Sequence, residues 1–448
     1  MLARTLTALL LSAVAAPTVH ATETTTPGRL SLRRTPVVEV FEKNRGAVVN
    51  ISATMEVENY ESIFPQGLFN EFFDGMLARP IRRKYTSIGS GFVIHPDGYV
   101  VTNAHVVMRA VDQRVIFADG SEFEADRIAV DEKHDLAILK INSGKPCQAV
   151  TLGRSDDLMI GETVIAIGNP LEYQHTVTSG IISALNRTLT FSEQVEYKGL
   201  IQTDASINRG NSGGPLLNVL GELIGITTAI RGDAQNIGFA IPVDQLHSLL
   251  PEMLSIRHRQ RLEVGLRLDW HEGVRVSEAK GPAAQAGIRT GDELVSVAGT
   301  PIRQDADYYI YLLGITADDS LDMVLKRNSR EIKATVKPAT IPIPDAAKLL
   351  RQRTGLSVRA LTREQAAKIH PQLRAGLQIT NVEYGSPAHQ AGFVEGYVIV
   401  QIGKYAPNNL DEVAVLLESL PAGERVQFRV LEVQKRQILL LQGELAVR

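Results

Sequence analysis

Between Ser87 and Pro242 the apolar residues fall in short runs, each closed by a turn signal. Gly89–Ile94 passes through His95-Pro96-Asp97-Gly98 into Tyr99–Thr102. An Asp-Gly pair between two apolar runs predicts a β-hairpin, because glycine accepts the positive φ that a tight turn demands. The runs at Val115–Phe117, Ala137–Leu139, Val164–Ile167, Thr176–Ala184 and Leu223–Ile230 extend the strand pattern, and Asp119-Gly120, Gly161, Gly168-Asn169-Pro170 and Gly221 punctuate it. Many short strands at this spacing predict an all-β sandwich or a pair of barrels, not alternating βα units. Upstream, a short helical pattern from Val37 gives way to a strand at Ala47–Ile51. Residues 56–86 break the pattern; they carry Phe64, Phe69, Phe72, Phe73 and the basic run Arg82-Arg83-Lys84, and read as a functional loop whose aromatics need a partner surface.

The pattern changes at Pro242. Val243–Ser255 predicts an amphipathic helix, with Val243, Leu246, Leu249, Leu250, Met253 and Leu254 on or near one face. The basic stretch Arg257-His258-Arg259-Gln260-Arg261 reads as a solvated linker. From Leu262 the chain repeats itself: Gly281-Pro282-Ala283-Ala284-Gln285-Ala286-Gly287 matches Ser386-Pro387-Ala388-His389-Gln390-Ala391-Gly392. Each copy is preceded by a short strand and opens with a Gly-Leu pair, Gly265-Leu266 and Gly355-Leu356. Two related modules of about 90 residues account for the C-terminal half.

With 448 residues the chain has length for roughly three domains. A composition of 44% hydrophobic and 22% charged residues is that of an ordinary globular protein, and a net charge of −3 argues against a mainly electrostatic nucleic-acid binder. The single cysteine, Cys147, excludes an intrachain disulfide and a cysteine metal cluster, and reads as a buried inert thiol. Residues 1–21 read as a secretory signal: Arg4, an apolar stretch from Leu6 to Ala16, and Val19-His20-Ala21 as the cleavage site. That stretch is short for a bilayer span, so export to a periplasm with at most peripheral membrane contact is expected. Residues 22–36 read as a mobile tail.

Three stretches carry chemistry. In Gly210-Asn211-Ser212-Gly213-Gly214-Pro215 a serine stands among small neighbours that let a carbonyl approach and leave backbone N–H groups free for an oxyanion. Thr102-Asn103-Ala104-His105-Val106-Val107 sets a histidine just past a strand, and His134-Asp135-Leu136-Ala137 sets an aspartate at the mouth of another. His, Asp, Ser is a known triad order. Ser212 would attack the scissile carbonyl, His105 would take and return its proton, and Asp135 would fix the imidazole tautomer. The N–H groups of Gly210 and Ser212 would hold the oxyanion. Among the ten histidines, His134 is the internal rival because it adjoins Asp135; the small residues around His105 suit a tight site better.

These motifs, together with Gln202-Thr203-Asp204-Ala205-Ser206-Ile207-Asn208-Arg209, Ala166-Ile167-Gly168-Asn169-Pro170 and Thr176–Ser183, closely resemble the HtrA (DegP/DegQ-like) family of serine proteases over nearly the whole mature chain. The resemblance implies a mainly β fold: a chymotrypsin-like double β-barrel protease domain at 37–255, followed by two α+β PDZ domains at 262–340 and 350–446. It implies the triad His105, Asp135 and Ser212, with Gly210 and Asn211 in the oxyanion turn and a peptide at Arg209 that family members flip. The stretch 56–86 resembles the family's regulatory loop. Thr228, Ala229 and Ile230 are expected to pair with an extended substrate, and Ile207 and Ile226 to line the pocket beside Ser212. Glu263-Val264-Gly265-Leu266, the better match, and Thr354-Gly355-Leu356 are expected to capture C-terminal carboxylates. The second module departs from the first where Gly291-Asp292 becomes Gly396-Tyr397.

The expected function is ATP-independent cleavage of unfolded or damaged envelope proteins, with no cofactor and no metal. The expected partners are unfolded polypeptides, C-terminal peptides and further copies of the chain in homotrimers or their multiples. Two other readings stand beside it: a chaperone or peptide sensor that uses the protease domain as a scaffold, and a membrane-tethered signalling protease.

Overall fold

The computed structural model describes residues 33–61, 79–108, 110–169, 175–192, 195–208, 210–230, 236–270, 273–369, 376–403, 410–434 and 437–448. The expected signal, most of the expected N-terminal tail and Arg209 lie outside the described residues. The chain divides into two compact units after Val243.

The first unit opens with helix α1 (Pro36–Asn44), whose proline occupies a first-turn position where no N–H is needed. Strands β1 (Val48–Glu61), β2 (Arg79–His95), β3 (Tyr99–Thr102), β4 (Ala110–Ile116), β5 (Glu122–Asp131) and β6 (Leu136–Ile141) close a barrel in the order β1-β2-β3-β6-β5-β4. The predicted hairpin forms between β2 and β3, with Gly98 at φ +86° donating to the His95 carbonyl. Val49, Ile51, Val93, Val100, Val115 and Leu139 fill the barrel, and each such buried side chain contributes about 1.5–3 kcal/mol. The stretch 56–86 is only partly the expected loop: β1 and β2 run into it and pair as far as Glu61 with Arg79. The register sets Glu56 opposite Lys84 and Glu58 opposite Arg82. The four loop phenylalanines lie outside the described residues.

The second barrel takes β7 (Thr151–Leu152), β8 (Thr163–Gly168), β9 (Thr176–Ser192), β10 (Val195–Thr203), β11 (Pro215–Leu217), β12 (Glu222–Ile230) and β13 (Gly238–Pro242). Their order is β11-β8-β9-β10-β13-β12-β7, and a further β11–β12 pairing joins the ring. Between the sequence ranges of β3 and β4, the short helix α2 (Ala104–Val107) carries His105. Cys147 is half-buried against the first barrel rather than fully buried, with Sγ 3.3 Å from the Ser143 hydroxyl.

The second unit begins with α3 (Val243–Met253) from Asp244 onward, so the expected boundary at 255 moves to the start of that helix. His247 accounts for this: its Nδ1 is 2.8 Å from Asp305 Oδ2, and its ring stacks on Trp270 at 5.4 Å and 5°. The basic stretch after it is not a solvated linker. It forms α4 (Ile256–Gln260), ended by Arg261 at φ +56°, and Arg261 reaches the Pro342 carbonyl and Glu418, the latter at 2.6 Å. These acceptors are distant in sequence, so no local pattern announces them.

In the first module β15 (Leu266–Trp270), β16 (Val274–Ala279), β17 (Glu293–Val297), β19 (Leu321–Arg327) and β20 (Arg330–Val336) form one sheet in that order, with β18 (Thr300–Pro301) paired to β17. Strands β14 (Leu262–Glu263) and β21 (Ala339–Thr340) pair beside it, and α5 (Gly281–Gln285) and α6 (Asp305–Leu312) complete the module. The second repeats this order in β22 (Leu356–Ala360), β23 (Leu377–Val382), β24 (Val398–Ile402), β25 (Arg425–Gln434) and β26 (Gln437–Ala446), with α7 (Ala346–Thr354), α8 (Arg363–Ile369), α9 (Pro387–Gln390) and α10 (Leu410–Ser419). The Gly-Asp difference has a structural counterpart. Asp292, 1% exposed, makes a two-pronged ion pair with Arg327 at 2.6 and 2.7 Å, whereas Tyr397 packs against the second module's apolar core.

Candidate active site

His105, Asp135, Thr228 and Ser212 form one hydrogen-bonded chain between the two barrels. Asp135 sits at the entry of β6 with φ +55°, a left-handed conformation that aspartate tolerates better than most residues and that turns its carboxylate under α2. The Asn103 amide donates to the Asp135 carbonyl at 3.0 Å, and the His105 N–H donates to Oδ1 at 3.0 Å. His105 Nδ1 lies 2.9 and 2.8 Å from the two carboxylate oxygens. The carboxylate is 2% exposed and the imidazole 47% exposed, so a buried anion holds a ring that reaches solvent. His134, the internal rival, turns away: its Nδ1 is 2.9 Å from Asp131.

Thr228 closes the other side. Its hydroxyl donates to Asp135 Oδ2 at 2.7 Å, and its carbonyl accepts the Ser212 hydroxyl at 3.1 Å. The sequence assigned Thr228 only to substrate pairing; the structure adds a contact of its side chain with the aspartate. Thr228 and Ala229 fall in a register break between β12 and β13, where ladder pairing lapses between Thr227 and Ile230. The side chains of Ala229 and Ile230 lie outside the described residues. Ile207 and Ile226 are both buried, exposing 6% and 0% of their surface, and Ile207 packs in the second barrel's apolar cluster.

The turn at 210–214 has backbone conformations that exclude larger residues. Gly210 is at φ +101° and Gly213 at φ +84°, and a Cβ on Gly213 would collide with the Ser90 carbonyl oxygen. Asn211 N–H donates to Asn208, Gly213 N–H to Thr227, and Gly214 N–H to Asn211. Among the described residues no acceptor takes the N–H of Gly210 or of Ser212. Two orphan donors flanking a serine hydroxyl are what an oxyanion recruits. Sequence reasoning missed Tyr197 of β10: burial, with a lesser push from the nearby Asp135 charge, raises its phenol to about 12. It therefore stays neutral beside the aspartate.

In the first module, Gly265 turns at φ +78° and its carbonyl accepts from Lys280 N–H at 2.7 Å. Glu263, Val264, Gly265 and Leu266 border a cavity of about 270 Å³. Tyr309 lines the same cavity, and its Oη accepts the Leu268 N–H at 3.0 Å. In the second module the corresponding donors are engaged: Gly355 N–H by the Arg351 carbonyl and Leu356 N–H by the Thr354 hydroxyl at 3.2 Å. Among the described residues no group of three or more His, Cys, Asp or Glu side chains could hold a metal, and no helix is long and apolar enough to cross a membrane.

The trypsin-like peptidase domain family matches residues 89–226, and the PDZ domain family matches residues 273–327. The chain is 33% identical over 436 residues to a probable periplasmic serine endoprotease DegP-like of Pseudomonas putida (strain GB-1), covering 88% of this chain and 90% of the relative. It is 34% identical over 362 residues to the periplasmic serine endoprotease DegP of Escherichia coli (strain K12), covering 76% of this chain and 74% of the relative. A solved structure, the HtrA-type protease AlgW with decapeptide, is 30% identical, covers 69% of this chain and 99% of its own, and superposes with a TM-score of 0.39.

Proposed function

The chain belongs to the HtrA family of DegP-like serine endoproteases, and we propose that Ser212, His105 and Asp135 perform its peptide-bond hydrolysis on unfolded polypeptides outside the cytoplasm. The observation that carries this reading is the single chain from His105 through Asp135 and Thr228 to Ser212. Ser212 Oγ rests on the Thr228 carbonyl, a bond worth about 1 kcal/mol net. Rotation about its Cα–Cβ bond exchanges that acceptor for His105 Nε2. The hydroxyl then adds to the scissile carbonyl as its proton passes to His105, and Asp135 holds the imidazolium that forms. Gly210 and Ser212 N–H groups receive the oxyanion, with Asn211 shaping the turn between them. Collapse of the tetrahedral adduct gives the acyl-enzyme, the amine leaves with the proton from His105, and water repeats the sequence in reverse order.

The chain is a serine endopeptidase of the HtrA type, and the finer assignments are part of the same proposal. The signal at 1–21 is removed and the mature protein works in the periplasm, the compartment in the relatives' names. The first module takes C-terminal peptides at Glu263–Leu266. The second is the weaker binder, since its loop donors already have partners. Copies assemble as homotrimers. Purified Ser212→Ala is expected to keep a native circular dichroism spectrum and to lose casein cleavage at least ~10⁴-fold. A folded variant that still digests casein would overturn the assignment.

A further inference from the structure

We propose that Ser90 is a positioning residue of the oxyanion turn, acting through its side-chain hydroxyl across the interface between the barrels. The inference rests on the site reading above and concerns a residue that reading does not use. Ser90 lies on β2 of the first barrel and is fully buried. Its hydroxyl accepts the Asn169 N–H at 2.8 Å. The hydroxyl proton is therefore committed elsewhere, and it goes to the Gly210 carbonyl at 2.5 Å. The Ser90 backbone N–H meanwhile donates to the Ser212 carbonyl at 2.8 Å, and its carbonyl accepts the Thr102 hydroxyl at 2.8 Å. Asn169 is itself held, since its carbonyl accepts the Asn50 amide at 2.7 Å.

The geometry gives the hydroxyl a task distinct from that of the Ser90 backbone. The backbone bond to Ser212 fixes the residue that carries the nucleophile. The hydroxyl fixes Gly210, a glycine at φ +101° whose backbone has no Cβ to restrict it. That carbonyl shares one peptide plane with the Asn211 N–H, so pinning it inward anchors the Gly210 Cα, the pivot about which the preceding peptide with its unpartnered Gly210 N–H turns. Oxyanion donors act only when preorganised, so a freely rocking Gly210 would cost transition-state stabilisation and leave ground-state binding nearly unchanged. Removing the hydroxyl leaves two buried groups without partners, Asn169 N–H and Gly210 C=O, which the turn relieves by moving.

The test compares full-length wild type with Ser90→Ala and Ser90→Cys on a chromogenic peptide, and measures inhibition by a peptidyl boronate that mimics the tetrahedral adduct. Ser90→Ala is expected to lower kcat ten- to a hundredfold, with KM within twofold. Boronate affinity should fall by the same factor as kcat, and Ser90→Cys, a weak donor of similar size, should lie between. A kcat within twofold of wild type in Ser90→Ala, or an unchanged boronate affinity alongside a lower melting temperature, would reduce Ser90 to barrel packing and overturn the inference. Should Ser90→Ala fail to fold, Ser90→Cys decides: at least a fivefold loss of kcat with matching boronate loss supports the role, and wild-type kcat refutes it. Ser212→Ala runs in parallel. Activity there would sink the site reading itself, whereas a dead Ser212→Ala beside a fully active Ser90→Ala sinks only this proposal.

Discussion

Thr228→Val separates two ways in which a hydroxyl can serve this site. Valine keeps the volume and the β-branch and deletes only the donor to Asp135 Oδ2 at 2.7 Å; the Thr228 carbonyl that holds Ser212 is untouched. A hydrogen bond to a charged acceptor contributes about 1.5–3 kcal/mol. Asp135 keeps its donors from His105 N–H and Nδ1, so the lower half of that range is expected. The decisive point is when the bond acts. The Asp135 charge is the same before and during the reaction, so the Thr228 hydroxyl stabilises ground state and transition state nearly alike. The cost should therefore appear mainly in folding: about 1.5–2 kcal/mol, or roughly 3–8 °C in melting temperature for a domain of this size. The kcat should fall less than tenfold, against the ~10⁴-fold loss that a wrong imidazole tautomer produces in Asp135→Asn. Thr228→Ser restores both values. Thermal melts and steady-state hydrolysis of a chromogenic peptide supply the two readings. A thousandfold loss of kcat without destabilisation would refute the reasoning, and so would no change in either.

Asp292→Asn should destabilise the first module by about 3 kcal/mol, because the buried ion pair with Arg327 is broken on one side. The hydrogen bond from Arg327 holds the Asp292 carboxyl below the ordinary aspartate value of 3.8, so the pair's contribution is present above that value and is lost as pH falls through the depressed folded value. The gap between wild type and variant should accordingly stay constant above about pH 5 and narrow as pH falls below about 4 toward the depressed folded value, followed by fluorescence of Trp270, the chain's only tryptophan; a gap constant through that range would contradict the pairing. Gly265→Ala would drive a Cβ into the Lys280 carbonyl oxygen at φ +78°, forcing the loop to move. Calorimetric titration with a peptide ending in a free carboxylate should show at least tenfold weaker binding, and wild-type affinity would remove Gly265 from the peptide site.

What could be read from the sequence followed a physical rule. Strands were legible wherever one turn signal and one apolar run decide the local state, as at His95–Gly98 and Ala137–Leu139. The three motifs were legible because each is contiguous: Ser212 among glycines, His105 among small residues, Asp135 at a strand entry. Partners brought together by closure of the two barrels were not. Ser90 stands between Gly89 and Gly91 and reads as a strand residue with little to pack; its value comes from Gly210, 120 positions away. Thr228 stands 93 positions from Asp135, and nothing in Ile226-Thr227-Thr228 tells which threonine faces the aspartate. Arg261 failed in the same way, since a run of basic residues looks solvated until distant carbonyls and Glu418 meet it.

The long-range contacts that escaped prediction share one direction of consequence. Ser212 and its turn belong to the second barrel, and His105 and Asp135 to the first. Thr228 reaches from the second barrel to Asp135. Ser90 reaches from the first to Gly210 and Ser212. Each barrel thus holds the other's chemical group, and the two links run in opposite directions across one interface. A relative shift of the barrels by about 1 Å would lengthen both sets of bonds beyond useful hydrogen-bond range while leaving each apolar core packed. Competence for acyl transfer is therefore a property of the interface more than of either barrel. A ligand or neighbouring subunit that moved β12 against β2 could withdraw Thr228 from Asp135 and Ser90 from Gly210 together, without touching His105 or Ser212.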